Sequence, residues 1–388
     1  MSINKEIAVV GGAGHIGLPF SCLLQNNGLS VTIIDTNKAA LEKISNNEAP
    51  FLEEGLVENM KRAIDSGLNL SLDIKDVANK EFVIITLGTS SKKDDIENFN
   101  NIILSIIKNV SEGTKIILRS TVAVNTCNEI NKNKLFDEKK LQLAYCPERI
   151  AEGKSFKEIL SLPQIVGTKN GEHYEDFNEL FSLLSIEIMN TNFNNAEFVK
   201  LFSNTYRFIE FSLVNEFYNI ALDNEINFEE IFHLATHNYP RLKHLPREGL
   251  VGGPCLPKDT ETFLNSYRPK NKVISSIQKS HDQFIANVLK NCIKFFTDKT
   301  VIQFGITFKP DSDDTRESQS LIINKLLEQE GFKVYVVDPY VQKKEVGIEI
   351  YKYEEIENLS NNIIITTNHS PFESYNLDNK KVYKVGYK

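Results

Sequence analysis

Apolar residues in this chain come in short unbroken runs separated by longer stretches of mixed polarity. Ile7-Ala8-Val9-Val10 reads as a buried strand entering Gly11 to Phe20, where a helix opens and runs to about Asn26. Val31 to Ile34 is a second strand, ending at Asp35. The rhythm continues with strands at Phe82 to Thr86, Lys115 to Thr121 and Leu141 to Tyr145, and a helix from Ile102 to Val110. Leu162 to Gly167 reads as the last strand of this part. From Ala196 to about Leu222 there is neither Gly nor Pro, and apolar residues cover most of the circumference. A helix of that length spans about 40 Å, and so apolar a one is expected to be buried on more than one side. A short helix from Phe228 to Ala235 and a longer one from Val273 to Phe296 precede a second α/β run. That run has strands at Thr300 to Ile306, Lys333 to Pro339 and Ile363 to Thr366, with a helix from Ser318 to Glu330 stopped by Gly331. The pattern predicts an α/β protein with two doubly wound Rossmann-like domains joined by a long central helix.

The first strand and turn carry chemistry. Gly12, Gly14 and Gly17 spell G-x-G-x-x-G between a strand and a helix. In that setting the first glycine allows the tight turn, the second lets backbone amides approach a pyrophosphate, and the third lets helix pack on strand. Asp35, at the second strand end, suits the hydroxyls of a ribose and repels a 2′-phosphate, which favours NAD over NADP. His15 and Ile16, inside the turn, join the cofactor set. Beyond later strand ends lie Thr121 and Glu148, where open parallel sheets bind ligands; a solvated or capping acid is the other reading of Glu148.

Two further stretches stand out. Glu197, Lys200, Asn204 and Arg207 form one polar stripe on the long helix, with Lys200 and Asn204 a turn apart. A lysine beside an amide can stabilise a developing oxyanion; a salt-bridged subunit interface would use the same stripe. Gly249 to Asp259 holds three glycines and two prolines around Cys255, so neither helix nor strand is expected through it. A cysteine on a rigid loop beside a cation is a candidate nucleophile; a buried structural cysteine is the alternative. The basic residues Arg241, Lys243, His244 and Arg247 just before it suit a phosphate-bearing substrate, or a solvated loop.

Composition narrows the class. A chain of 388 residues exceeds one ordinary core, and 41% hydrophobic with 25% charged residues is a globular balance. With a net charge of -8 and no basic stripe, nucleic acid is not an expected partner. No apolar run approaches a membrane span, and Met1 to Glu6 runs straight into a strand rather than a signal peptide. Five cysteines at 22, 127, 146, 255 and 292, without CxxC pairs, argue against disulfides and zinc and for a reducing cytoplasm. His233, His237 and His244 lack metal-site spacing, so no metal is expected.

Taken together, GAGHIGLP at 12–19, STV at 120–122, PERIAEG at 147–153, AEFVKLFSN at 196–204, GGPCLPKD at 252–259 and FKPDSDDTRES at 308–318 resemble the UDP-glucose/GDP-mannose dehydrogenase family over nearly the whole chain. PERIAEG with LPQIVG is most similar to members acting on UDP-N-acetylhexosamines such as UDP-N-acetylmannosamine. The resemblance implies oxidation of a sugar C6 alcohol to the carboxylate with two NAD+. It implies Cys255 as the nucleophile forming a thiohemiacetal and then a thioester, and Lys200 and Asn204 as stabilisers of charge at the C6 oxygen. Asp259 with Thr121 would help remove the alcohol proton, Glu148 would assist thioester hydrolysis, and Glu152 would lie near the nicotinamide. Glu148, Arg149, Lys200, Asn204, Arg241, Gly252, Lys258 and Lys309 would contact the UDP-sugar, and Arg316 the cofactor or an interface. The implied domains are 1–190 for NAD, 191–285 with the cysteine loop and a homodimer contact, and 286–388 for the UDP-sugar. Leu87-Gly88-Thr89 and Ala123-Val124-Asn125 stand where the family has proline-bearing turns, and the C-terminal domain reads as trimmed. The alternatives are a UDP-glucose 6-dehydrogenase, a two-electron β-hydroxyacid dehydrogenase, which has no use for Cys255, and a non-catalytic NAD-binding protein.

Overall fold

The computed structural model describes residues 5–90, 92–270 and 272–386. Met1 to Asn4, on which the expectation of no leader partly rests, lie outside them. The chain divides into two compact units, Met1–Ser203 and Asn204–Lys388.

The first unit is built on an eight-stranded sheet: β1 (Glu6–Val10), β2 (Ser30–Ile34), β3 (Asn69–Ser71), β4 (Phe82–Ile85), β5 (Lys115–Leu118), β6 (Gln142–Tyr145), β7 (Gln164–Thr168) and β8 (Ile188–Asn192). Their order is β3-β2-β1-β4-β5-β6-β7-β8. All neighbours are parallel except β6 and β7, which meet through Tyr145 and Gly167. Side chains alternate along β1. Ile7 and Val9 pack with Phe20, Leu24 and Phe181 on one face; Ala8 and Val10 pack with Ile103, Ile106 and Leu143 on the other. Burial on both faces explains why the central strands read as unbroken apolar runs. The order reverses at β1, between β2 and β4, and that crevice is where ligands of open α/β sheets bind.

Leu162 to Gly167 is not the last strand, because β8 follows it. β8 is a half-exposed edge strand with Asn190, Thr191 and Asn192, so it lacks the apolar run that marks a buried one. Likewise the helix expected from Ile102 begins at Lys93; Asp94, Asp95, Glu97 and Asn98 in its first turns are polar and exposed.

A helix of 31 residues, Phe193–Asp223, crosses the boundary between the units. Phe193, Ala196 and Val199 belong to the core of the first unit. In the second unit, Phe208 packs with Val251 and Ile277, and Val214 with Ala221 and Phe228. The expectation of burial on more than one side is not met within this chain: Phe198, Phe202, Tyr206, Leu213, Phe217 and Ile220 are exposed.

The second unit holds a four-stranded parallel sheet, β9 (Thr300–Phe304), β10 (Lys333–Val337), β11 (Asn362–Ile365) and β12 (Lys381–Lys384), in the order β10-β9-β11-β12. Helices Ile277–Phe295 and Gln319–Gln329 share a core with Val301 and Ile364. Among the described residues no helix is long and apolar enough to cross a membrane.

Candidate active site

The chain leaves β1 through Gly11, whose φ of 77° is left-handed. The tight turn begins at Gly11 and includes Gly12 as expected, where a Cβ would lie 2.7 Å from the Val9 carbonyl oxygen. Gly17 is required by space: a Cβ there would lie 2.5 Å from the Gly11 carbonyl oxygen. Gly14 has room on its outer side, with no atom nearer than 3.6 Å to a Cβ position. The helix Gly17–Asn26 starts at Ile16 with no side-chain cap and no acid in its first turn, which leaves its positive end open to an anion. Asp35 is oriented by two amides, accepting from Ala13 N at 3.0 Å and Asn37 N at 2.9 Å. A free helix start beside a fixed carboxylate fits the pyrophosphate and ribose of a dinucleotide. Nearby, the His15 ring stacks on Phe51 at 4.0 Å, and its Nδ1 lies 3.8 Å from a Glu152 oxygen.

The two departing loops are joined, since Thr89 Oγ1 donates to the Thr121 carbonyl at 2.7 Å. Asn125 takes the left-handed conformation, φ 71°, that a glycine would otherwise supply. The buried Glu197 accepts from Asn125 N and Cys127 N at 2.6 and 2.8 Å, so this member of the polar stripe caps a helix.

Beyond β5 and β6 the structure assembles a group that sequence reasoning only half found. Glu148 is buried, 9% exposed. One oxygen accepts from the Arg149 and Ile150 amides at 2.8 and 3.1 Å, and the other is paired with Arg119. Burial by itself would raise its carboxyl, but the Arg119 guanidinium and the two amides outweigh that and hold it below the usual carboxylate range. Lys200 is also buried, and its ammonium donates to the main-chain carbonyl of Glu148 at 2.6 Å. Arg119 was missed; a charged residue inside the apolar run Ile116 to Leu118 and Ser120-Thr121 was the available signal. Arg149, an expected substrate contact, donates from its guanidinium to the Pro163 carbonyl. The rest of the PERIAEG loop hangs on carboxylates: Glu158 accepts from Ala151 N, and Glu53 from Gly153 N, Ser155 N and the Ser155 hydroxyl.

In the second unit, the cysteine stretch is not loop throughout. A helix, Leu256–Tyr267, starts directly after Cys255. Pro257 does not prevent this, because the amides of a first helical turn have no helical partner to lose. Cys255 is exposed, whereas Cys22, Cys127, Cys146 and Cys292 are buried. Burial pushes the Cys22 and Cys146 thiols up to about 12, and raises those of Cys127 and Cys292 as well. Four cysteines are thus inert core residues, and Cys255 sits at a helix start, where negative charge is favoured. One turn on, Asp259 is fully buried. Its oxygens receive the Asn204 amide at 2.6 Å and the Lys258 ammonium at 2.9 Å.

The GGPC and FKPDSDDTRES motifs, far apart in sequence, pack directly on each other. Gly253 N donates to the Glu317 carbonyl at 3.1 Å, and a Cβ on Gly253 would lie 2.6 Å from the Phe308 ring. A Cβ on Gly252 would meet the same Glu317 carbonyl at 2.8 Å. In that second motif, the Lys309 ammonium lies 5.7 Å from the Phe308 ring centre, and Arg316 chelates Asp314 with contacts of 2.5 to 2.9 Å. Arg241 is exposed on the turn Pro240–Leu242 and leans on Tyr239. Arg247 is paired with Glu229 and lies over Phe232, so the basic cluster is partly structural.

Three family models of the UDP-glucose/GDP-mannose dehydrogenase family match the chain in order: the NAD binding domain at residues 5–185, the central domain at 194–283 and the UDP binding domain at 303–385. The UDP-N-acetyl-D-mannosamine dehydrogenase of Methanococcus vannielii is 31% identical over 385 residues, 96% of this chain and 88% of that protein. The chain belongs to the UDP-glucose/GDP-mannose dehydrogenase family. As a member it is an NAD-dependent oxidoreductase, with Gly12, Gly14, Gly17 and Asp35 in the family's NAD-binding domain. Among solved structures, a UDP-D-ManNAc dehydrogenase from Pyrococcus horikoshii superposes with a TM-score of 0.87 at 25% identity, covering 97% of this chain and 93% of that one. The UDP-N-acetyl-mannosamine dehydrogenase of Staphylococcus aureus gives 0.84 at 27%, covering 98% and 94%.

Proposed function

We propose that the chain oxidises the C6 alcohol of a UDP-N-acetylhexosamine, UDP-N-acetylmannosamine first among them, to the uronic acid through a thioester on Cys255. The observation that carries this is Cys255 itself. It is the exposed thiol of the five, at the start of a helix whose next turn holds the Asn204–Asp259 pair. The sugar is suggested by the archaeal and staphylococcal relatives bearing that name.

Two NAD+ molecules, bound in turn in the glycine-turn site, would each accept one hydride, one per oxidation step. In the first step C6 loses a hydride and its hydroxyl a proton, leaving an aldehyde; Asp259, with Thr121, assists departure of the proton. The Cys255 sulfur then adds to the aldehyde carbon, and the new oxyanion is stabilised by Lys200 and Asn204 and takes up a proton. Loss of the second hydride from that carbon, with the hydroxyl proton, gives the thioester. Water adds, the C–S bond breaks, and the carboxylate leaves with Cys255 restored; Glu148 serves this step. Arg241, Gly252, Lys258 and Lys309 supply the UDP-sugar contacts, and Glu152, His15, Ile16 and Arg316 the cofactor contacts.

The test is a panel of UDP-sugars with NAD+, following NADH, with wild type and Cys255→Ala. Wild type is expected to prefer a UDP-N-acetylhexosamine and to yield two NADH per sugar, while Cys255→Ala stops near the aldehyde and makes almost no uronic acid. A preference for UDP-glucose would move the chain to that branch. A folded Cys255→Ala enzyme making uronic acid at the wild-type rate would refute the thioester.

We propose in addition that the chain forms a homodimer through the long helix. Phe198, Phe202, Tyr206, Leu213, Phe217 and Ile220 lie exposed along one side of it, with Phe198 stacked on Phe202. Light scattering should give about twice 44.1 kDa, and Phe202→Glu with Phe217→Glu should give the single mass. Free thiols throughout suit a reducing cytoplasm. The division at 1–190, 191–285 and 286–388 is supported by the spacing of the family matches.

A further inference from the structure

We propose that Arg119 is a positioning residue for this oxidation: it fixes Glu148 as a buried anion, so that the main-chain carbonyl of Glu148, not its carboxylate, meets the Lys200 ammonium. The inference rests on the proposed reaction for its chemistry, and on the geometry of the first unit for its content.

Arg119 follows directly after β5 and is 3% exposed. Its guanidinium carbon lies over Phe20, 4.3 Å from the ring centre, with that of Phe181 at 5.8 Å. Nη1 donates to Gln164 Oε1 at 2.8 Å, and Nη2 donates to Glu148. Only a planar fork can stack on an aromatic ring and serve two acceptors on different elements. Phe20 belongs to the helix after the glycine turn, Gln164 to β7, and Glu148 to the loop after β6. Arg119 therefore ties the turn of the cofactor helix to the loop that carries Glu148.

The consequence falls on Lys200. The Glu148 carboxylate is held by Arg119 on one oxygen and by the Arg149 and Ile150 amides on the other. It is not left to pair with Lys200, whose partner is a neutral carbonyl at 2.6 Å. An ammonium held by a carbonyl keeps its full charge for a negative oxygen; paired with a carboxylate it would be largely cancelled. The other charged groups around Glu148 do not compete. Glu158, which lines the same small cavity, is turned to Ala151 N, and the Arg149 guanidinium is turned to the Pro163 carbonyl.

The experiment compares whole enzymes: wild type, Arg119→Lys, Arg119→Met, Glu148→Gln, and Arg119→Met combined with Glu148→Gln. Turnover and KM are measured from about pH 5 to about pH 9, and the rate of Lys200 acylation by acetic anhydride is read by mass spectrometry. Arg119→Met and Glu148→Gln are each expected to lower kcat by about 10²-fold, the usual consequence of a misplaced catalytic group, with a much smaller change in KM. Acting through one link, the two changes together should cost no more than the worse alone. Arg119→Lys should move the acid limb of kcat to higher pH and slow Lys200 acylation, because a Glu148 carboxylate released towards the ammonium makes it hold its proton more tightly. Multiplied losses in the double variant, or an unmoved acid limb with unmoved acylation in Arg119→Lys, would overturn the proposal. Should Arg119→Met fail to fold because a buried carboxylate is left unpaired, the Arg119→Lys and double variants decide. Acylation needs no turnover, so an enzyme that oxidises no UDP-sugar would sink the proposed function, while the acylation rates would still decide whether Arg119 governs Lys200.

Discussion

Asn204 donates a 2.6 Å hydrogen bond to Asp259, and both side chains are buried. The amide of the long helix is thus oriented by a carboxylate in the first turn of the cysteine helix. Asp259→Ala should therefore remove both a proton acceptor and the support of an oxyanion donor. We expect kcat to fall by at least about 10²-fold and stability by about 1–3 kcal/mol, the cost of leaving a buried polar group unpaired. Kinetics alongside urea denaturation separate the two; a stability loss with turnover intact would make Asp259 purely structural.

Lys200→Ala should slow chemistry more than it weakens binding, since charge at the C6 oxygen develops only during reaction. The loss expected of one oxyanion donor is about 10²–10³ in kcat. An unchanged kcat with raised KM would assign Lys200 to ground-state binding.

Asp35 is expected to set the cofactor preference. Its carboxylate is fixed by the Ala13 and Asn37 amides at the end of β2, where it repels a 2′-phosphate. Wild type should favour NAD+ over NADP+ in kcat/KM, and Asp35→Ala should narrow the ratio chiefly by weakening NAD+. A wild-type preference for NADP+ would contradict this role.

His281 gives the fold an acid sensitivity. It is buried against Phe208, and among the described residues neither ring nitrogen has a hydrogen-bond partner. Burial lowers its pKa below the ordinary 6.5, although Asp282 pulls the other way. The unfolded chain therefore takes the proton first as pH falls. The contribution of the neutral ring is complete above about 6.5 and is lost as pH drops through that value towards the folded pKa. Denaturant titrations between about pH 7.5 and about pH 5 should show stability falling more steeply in wild type than in His281→Phe. Parallel pH profiles would mean that His281 is solvated or paired in solution.

How much of this was legible follows burial. β1, β4 and β11 are covered on both faces, and Ile7 to Val10, Phe82 to Ile85 and Ile363 to Ile365 stood out as apolar runs. The edge strands β8 and β12 are half exposed and polar, and nothing in their sequence separated them from loop. The helical start after Cys255 was hidden by Pro257, because proline is as acceptable in a first helical turn as in a loop. Among the site residues, Cys255, Lys200 and Asp35 could be named from residue type and position. Arg119 could not, because its importance lies in Phe20, Gln164 and Glu148, which are distant in sequence.

By itself, then, the sequence determined the α/β class, the glycine turn with its acid at the second strand end and the long helix, and it singled out Cys255 as the candidate nucleophile among the five cysteines. Each depends on neighbours within a few residues, where periodicity and backbone chemistry act directly. Tertiary structure alone decided what each charge faces. It paired Glu148 with Arg119, left Lys200 on a carbonyl, gave Asn204 to Asp259, and seated Gly253 against Phe308. Electrostatic roles depend on distances of a few ångströms between residues that the chain brings together from far apart, and no local pattern encodes those distances.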